Sequence, residues 1–198
     1  MLQFAAYYHI FNHANGDDNL FREEKNYDFF LKKYHQHIDP IAETIAWCLM
    51  PNHFHLLLKI KGEQAIASTF PKFKTLEKLE DRSRFISKQF SNFFSSYTQA
   101  YNKAYQRRGS LFIKNFKRKV ITSEHYLSQL ILYIHLNPVK HGFVPDFEEW
   151  KHASFHCFPK LNPKLMEWVF GTQKDYIEMH QVRKKIFKDY QKLEDELT

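Results

Sequence analysis

The chain has 198 residues, a length that suits one domain of ordinary size and allows a substantial core. Hydrophobic residues make up 43% and aromatic residues 17%, which excludes a disordered chain, and no uninterrupted apolar stretch of about 18 residues offers a membrane span. Lys and Arg number 29 against 22 Asp and Glu, and this net charge of +7 favours a polyanionic partner without identifying one. The amino terminus lacks the features of a secretory signal, so we expect a cytoplasmic protein with no membrane association.

The spacing of apolar residues, with the turn and capping residues between them, divides the chain into strands and helices. Ser123 is a candidate helix cap, and we expect the helix that it begins to stop before Pro138. The stretch 61–84 has the weakest pattern and is expected to be a long loop or a marginal helix. In chain order, the patterns predict a strand at 2–9, a helix at 21–37, strands at 44–50 and 53–60, a helix at 85–105, a strand at 111–121, a helix at 123–137 and a charged helix at 174–197.

The order of the first seven elements is strand, helix, strand, strand, helix, strand, helix. An antiparallel sheet with helices on one face accommodates this order better than a parallel sheet does. The sequence therefore predicts an α+β fold, with the last charged helix as a C-terminal extension.

Two histidines, His53 and His55, interrupt the otherwise apolar strand predicted at 53–60. Side chains two residues apart on a strand leave the same face, so the two imidazoles are expected to converge. Neutral imidazole is a common ligand of divalent metals, and the pair would supply part of a coordination shell. The alternative is that both are hydrogen-bonded core histidines without a function, and the pair alone leaves that alternative open.

A third donor is available on the helix predicted at 123–137. Tyr133 and Asn137 are four residues apart and fall together at the border of the apolar stripe, where we expect their tips to stay accessible. Tyr126 lies on the same border one heptad earlier. The stripe itself consists of Leu127, Leu130, Ile131 and Ile134.

A tyrosine beside a divalent metal has a definite chemical use. Its phenol, with an ordinary pKa of about 10, becomes a nucleophile once the phenolate is stabilised, and a metal withdraws charge from the phosphate that the phenolate attacks. The product would be a phosphotyrosine linkage. The alternative is that Tyr133 only packs, with its hydroxyl at the rim of the core.

Basic side chains cluster ahead of and within the strand predicted at 111–121. We expect them to contact the phosphates of a polyanionic partner in a salt-dependent way, although a solvated strand edge that discourages strand pairing would look the same. The aromatic stripe of the helix at 85–105 faces one side and is expected to be core, not a stacking platform for bases. The predicted phosphate contacts are Arg107, Arg108, Lys114, Lys117, Arg118 and Lys119.

Three segments in this order resemble the HUH single-tyrosine transposases, and more closely the REP-associated tyrosine transposases. The similarity covers roughly residues 4–155, and three signatures together are far more specific than a histidine pair alone. The segments are Met50-Pro-Asn-His-Phe-His-Leu-Leu-Leu58, Arg108-Gly-Ser-Leu-Phe112 and Tyr133-Ile-His-Leu-Asn-Pro-Val-Lys-His-Gly142.

The resemblance implies a ferredoxin-like domain that cuts single-stranded DNA beside a hairpin and leaves a 5′-phosphotyrosine and a free 3′-hydroxyl. His53 and His55 match the two family histidines, and Tyr133 matches the nucleophile. Asn137 matches the third metal ligand, which REP-associated members supply as Asn where other members use Gln. The implied metal is Mg²⁺ or Mn²⁺.

We therefore expect a transposase-like domain over 1–158, a helical extension over 159–198, single-stranded or hairpin DNA as partner, and a monomer or homodimer. One rival is a DNA-binding regulator of hairpins without catalysis. A second rival is a metal-dependent hydrolase that uses water as the nucleophile, which predicts cleavage without a covalent adduct.

Overall fold

A computed structural model describes the backbone of residues 1–197 and the side chains of residues 1–187. The strands are β1 Tyr7–His13, β2 Ala42–Met50, β3 His53–Ile60 and β4 Lys117–Ile121. The helices are α1 Glu24–His37, α2 Glu63–Thr69, α3 Pro71–Lys74, α4 Leu79–Ala104, α5 Glu124–Lys140, α6 Phe158–Leu161, α7 Pro163–Phe170 and α8 Gln173–Leu197, with a 3₁₀ turn at Phe147–Glu149 between α5 and α6.

The four strands form one sheet in the order β2-β3-β1-β4. β1 lies in the middle and runs antiparallel to both β3 and β4. With α1 between β1 and β2 and α4 between β3 and β4, this is the βαββαβ connection of a ferredoxin-like fold. The α+β prediction is confirmed.

The alternation of side chains on β3 separates a helix-covered face from a histidine face. Phe54 is fully buried against the helices, with its ring centroid 5.5 Å from that of Phe30 on α1 and 5.8 Å from that of Phe94 on α4. His53 and His55, one residue to either side, therefore point to the opposite face of the sheet. The aromatic stripe of α4 is core, as predicted, since Phe90, Phe93, Tyr97 and Tyr101 are buried.

The chain forms two compact units. The first, here called the sheet unit, comprises residues 1–44 and 49–121. The second, here called the tyrosine unit, comprises residues 45–48 and the chain from 122 onward, and in it α5 packs with α7 and α8. The predicted division between a domain at 1–158 and a helical extension at 159–198 came from the extent of the family resemblance, and it stays a prediction.

Helix α5 begins as predicted and ends later than predicted. The Ser123 Oγ accepts a hydrogen bond from the Tyr126 N–H at 3.2 Å, as an N-cap does. Pro138 lies inside the helix and does not stop it, because packing holds this buried final turn helical to Lys140. Gly142 follows the C-cap His141, and its φ of 70° completes a Schellman motif in which the Phe143 N–H donates to the Pro138 carbonyl at 2.9 Å.

Two predicted strands begin later than expected, and the weakly patterned stretch contains helices. β1 starts at Tyr7 and not at residue 2, because Ala5 has a φ of 56° that interrupts the extended backbone. β4 begins only at Lys117, since Asn115 has a φ of 64°. Of the two alternatives for 61–84, a long loop or a marginal helix, the structure has mostly helix: α2, α3 and the start of α4, anchored by buried apolar side chains such as Phe73. None of the helices in the described part of the chain is long and apolar enough to cross a membrane.

Candidate functional site

The predicted histidine pair lies on β3, and both residues are buried in the sheet unit. The two imidazole centroids are 5.4 Å apart and their rings are almost perpendicular. Both Nδ1 atoms have hydrogen-bond partners: His53 Nδ1 lies 2.6 Å from the Asn52 Oδ1, and His55 Nδ1 lies 2.9 Å from the Nε2 of His9. The pair is therefore oriented by its neighbours.

These hydrogen bonds help to determine which ring nitrogen of each histidine has the lone pair that a metal could bind. The Asn52 Oδ1 can only accept, so His53 donates from Nδ1 and its lone pair is on Nε2. Burial, together with the charge of Lys119, lowers the pKa of His9 to about 4, so His9 is neutral near pH 7. A neutral His9 has one ring nitrogen able to accept a hydrogen bond.

The histidine face carries two histidines that the sequence reading missed. His9 and His13 lie on β1, where His13 is directly opposite His53, and their rings stack at 4.3 Å. Residues 9, 11 and 13 alternate in the same way as 53 and 55, and this period of two was the available signal. The strand predicted at 2–9 contains His9 but leaves residues 11 and 13 outside, so the alternation does not show in it.

Helix α5 in the tyrosine unit carries the other predicted residues. Tyr133 is half-buried, and the ammonium of Lys140 lies 5.2 Å from the centroid of its ring. Asn137 is completely buried, whereas the sequence placed it at an accessible border. The border prediction was wrong because the last turns of α5 are buried on almost every side, Leu132, Leu136 and Val139 included.

The side-chain amide of Asn137 has one satisfied end and one unsatisfied end. Its Nδ2 donates to the Tyr133 carbonyl at 3.0 Å, which fixes the orientation of the amide, since a carbonyl only accepts. Its Oδ1 is buried and has no hydrogen-bond partner among the described residues. Leaving a buried acceptor unsatisfied costs about 1–3 kcal/mol, so this oxygen needs an explanation.

The available donors fit an oxygen-preferring divalent metal. Among the described residues there is no group of three or more His, Cys, Asp or Glu side chains that could hold a metal ion. The sheet unit nevertheless offers two imidazoles, and the tyrosine unit offers one buried amide oxygen; Mn²⁺ takes nitrogen and oxygen donors, and Mg²⁺ takes the oxygens. The chemistry of the residues is thus compatible with the predicted ion.

The predicted DNA contacts divide into separate groups. The guanidinium of Arg107 is engaged within the protein: its Nε donates to the Asp18 Oδ2 at 2.9 Å, and it also donates to the Ser110 carbonyl at 2.8 Å. This side chain holds the loop that follows α4. Arg108 and Lys114 are exposed.

The cations of β4 point to both faces of this edge strand. Lys117 pairs with Phe11 and Lys119 with His9, so both share the histidine face, whereas Arg118 pairs with Ile10 and lies on the helix-covered face. Two exposed ammonium groups therefore lie on the same face of the sheet as the histidines. Tyr126, the second tyrosine candidate, is half-buried near the start of α5.

Comparison with known proteins supports the resemblance seen in the sequence. The chain is 28% identical over 129 residues to a Haemophilus influenzae protein named for the REP-associated tyrosine transposases. The match covers 64% of this chain and 66% of that protein, just under two thirds of its length. No family model matches the chain.

The fold is also similar to a solved structure of a REP-associated tyrosine transposase bound to a REP hairpin. The TM-score is 0.53 at 19% sequence identity, and the match covers 79% of this chain and 81% of that chain. At this identity the similarity supports the fold, and it agrees with the βαββαβ topology of the sheet unit.

Proposed function

We propose that this chain is an HUH single-tyrosine transposase, the family its sequence resembles and its relatives support, and that it cuts and rejoins single-stranded DNA beside hairpins through a covalent tyrosine intermediate. The observation that carries the proposal is the buried Oδ1 of Asn137, an oxygen without a hydrogen-bond partner among the described residues, one helical turn after the candidate nucleophile. A role as a metal ligand would explain why the Asn137 oxygen is kept buried although it lowers the stability of the metal-free protein.

Tyr133 is the proposed nucleophile. Its phenolic oxygen attacks the phosphorus of a DNA strand, and the bond between phosphorus and the 3′-oxygen breaks. The bonding electrons leave with the 3′-oxygen, and in the net reaction the phenolic proton is transferred to it. The products are a 5′-phosphotyrosine and a 3′-hydroxyl, and attack by the 3′-hydroxyl of another strand end reverses the reaction and joins the strands.

His53, His55 and Asn137 are the residues that would hold Mg²⁺ or Mn²⁺. When bound, the ion withdraws charge from the scissile phosphate and fixes its orientation. The hydrogen bonds to Nδ1 of the two histidines restrain their rings, so little ordering is left to be done on binding. The bond from Asn137 Nδ2 to the Tyr133 carbonyl directs the amide oxygen away from the helix backbone.

Lys117 and Lys119 are proposed to attract the DNA backbone to the histidine face, with Arg108 and Lys114 extending the contact. Exposed ammonium groups neutralise phosphates without reading sequence, so this contact would supply affinity and the hairpin would supply selectivity. Arg107 is proposed to act indirectly by holding the loop that presents Arg108.

Covalent capture tests the proposal. Incubation with Mg²⁺ and hairpin-flanked single-stranded DNA is expected to give an adduct that survives denaturing electrophoresis. Tyr133→Phe removes the attacking oxygen and is expected to abolish the adduct. Tyr126→Phe, a matched change one heptad earlier on the same helix, is expected to leave it.

The rivals give different results in the same assay. Hairpin binding without cleavage would support the regulator, and cleavage without an adduct would support the hydrolase. An adduct that persists in Tyr133→Phe and disappears in Tyr126→Phe would move the nucleophile to Tyr126.

A further inference from the structure

His9 has a contact that the proposed chemistry does not by itself require. It lies on β1, is only 7% exposed, and its Nε2 is 2.9 Å from the Nδ1 of His55. Its ring also stacks on that of Phe11, with centroids 4.7 Å apart. The burial of His9, its stacking on Phe11 and its hydrogen bond to the Nδ1 of His55 together fix the position of its ring.

The direction of this hydrogen bond decides what His55 can do. If His55 donates from Nδ1, its lone pair is on Nε2, where a metal can bind. If His9 donates instead, Nδ1 of His55 is used as the acceptor and its Nε2 carries the proton. Only the first direction makes His55 a ligand.

The neighbouring histidine shows the same arrangement with an unambiguous partner. His53 donates from Nδ1 to the Asn52 Oδ1, which can only accept. Both β3 histidines thus have an outer partner at Nδ1, and the two partners come from different elements, the turn before β3 and the adjacent strand β1. Outer partners of this kind orient metal-bound histidines and fix their tautomer.

We propose that His9 is a positioning residue for metal binding: its Nε2 accepts the Nδ1–H of His55 and thereby keeps the Nε2 of His55 as the ligating nitrogen. The proposal rests on the metal site described under the proposed function. It adds a residue from β1, outside the three segments that carry the family resemblance.

Mn²⁺ binding tests the role of His9, with calorimetry and the paramagnetic resonance of unbound Mn²⁺ as readouts. His9→Leu removes the acceptor and is expected to weaken Mn²⁺ binding by about 10–100-fold. His9→Gln can still accept through its amide oxygen and is expected to retain most of the affinity. The matched control is Tyr8→Leu, which removes a buried aromatic side chain from the helix-covered face of the same strand and is expected to leave Mn²⁺ affinity unchanged.

The tautomer of His55 gives a second test that needs no metal. Long-range ¹H–¹⁵N spectra of the metal-free wild-type protein are expected to show its proton on Nδ1. A proton on Nε2, or His9→Leu protein that melts normally and binds Mn²⁺ as tightly as wild type, would overturn the role of His9 while leaving the proposed function intact. Wild-type protein that binds no Mn²⁺ would instead overturn the metal site itself, and His9 with it.

Discussion

At the scale of single residues, Asn137 shows a conflict between stability and function. Its Oδ1 is buried without a partner among the described residues, whereas buried acceptors are ordinarily satisfied. Asn26 provides the contrast in the same chain: it is also buried, and its Oδ1 accepts from the Arg22 N–H at 2.8 Å and the Glu23 N–H at 3.0 Å. One asparagine stabilises the fold through its oxygen and the other does not.

Asn137→Leu is therefore expected to stabilise the metal-free protein while abolishing the Mg²⁺-dependent adduct. Removing the unsatisfied oxygen is expected to raise the free energy of unfolding by about 1 kcal/mol, which corresponds to a rise in Tm of roughly 2–4 °C. Thermal melting and the capture assay measure the two effects on the same preparation.

The control for that substitution is Asn26→Leu. It leaves two backbone N–H groups at the start of α1 without their acceptor and is expected to lower the free energy of unfolding by about 2 kcal/mol. If Asn137→Leu lowered stability by as much, the Asn137 oxygen would have a stabilising partner, and the argument for it as a ligand would be lost.

At the scale of elements, α8 is joined to the tyrosine helix by a buried chain of hydrogen bonds. His180 Nδ1 donates to the Tyr176 carbonyl at 2.7 Å, so its Nε2 accepts from His135 Nδ1 at 3.0 Å. The other nitrogen of His135 then accepts from Ser154 Oγ at 2.8 Å. His135 lies between Tyr133 and Asn137 in the sequence, so His180 of α8 and Ser154 together restrain the segment that carries them.

This chain of hydrogen bonds predicts acid lability. Burial lowers the pKa of His180 to about 4, below the 6.5 of the unfolded chain, because a charged imidazolium loses its solvation in the dry interior. As the pH falls, the unfolded state therefore binds a proton before the folded state does. The free energy of unfolding that His180 contributes is fully present above about pH 6.5. Between there and about pH 4 it falls by on the order of 2–3 kcal/mol.

Thermal melting between pH 7.5 and pH 4.5 measures this dependence. His180→Gln is expected to melt lower than wild type at pH 7.5 and to lose less stability on acidification. The exposed His125 is the matched control, and His125→Gln is expected to keep the wild-type slope. An unchanged slope in His180→Gln would show that the acid sensitivity has another source.

The edge strand β4 supports a prediction about DNA. Lys119→Gln removes a cation from the histidine face and is expected to weaken single-stranded DNA binding and to reduce the slope of log affinity against log salt by about 0.7. Binding titrations at several salt concentrations measure that slope. Lys164→Gln, a change at an exposed lysine on α7, is expected to leave it unaltered; an equal loss there would indicate only a general charge effect.

At the scale of the whole molecule, the sequence predicted those strands and helices whose positions depend on nearby residues. The predicted bounds of β3 match the structure because an apolar run of strand length follows the Pro51-Asn52 turn, and α5 is predicted because Ser123 and an apolar stripe mark its start. The end of α5 was missed because tertiary packing keeps Pro138 helical. His9 was missed as a site residue because only the β1–β3 register brings it to His55.

The burial of Asn137 could not be read from the sequence either. A periodic stripe defines one buried side of α5, but the second buried side is formed by elements distant in sequence, including α7 and α8. The chemistry of the candidate site was predicted from residue types, and its satisfied and unsatisfied hydrogen bonds required the structure.

Mapping the covalent adduct by mass spectrometry tests the central claim most directly. After reaction with Mg²⁺ and hairpin-flanked single-stranded DNA, followed by nuclease and protease digestion, the α5 peptide is expected to carry a 5′-linked nucleotide on Tyr133. A nucleotide on Tyr126 or on any other residue, or cleaved DNA with no modified peptide, would contradict the assignment of Tyr133 as the nucleophile.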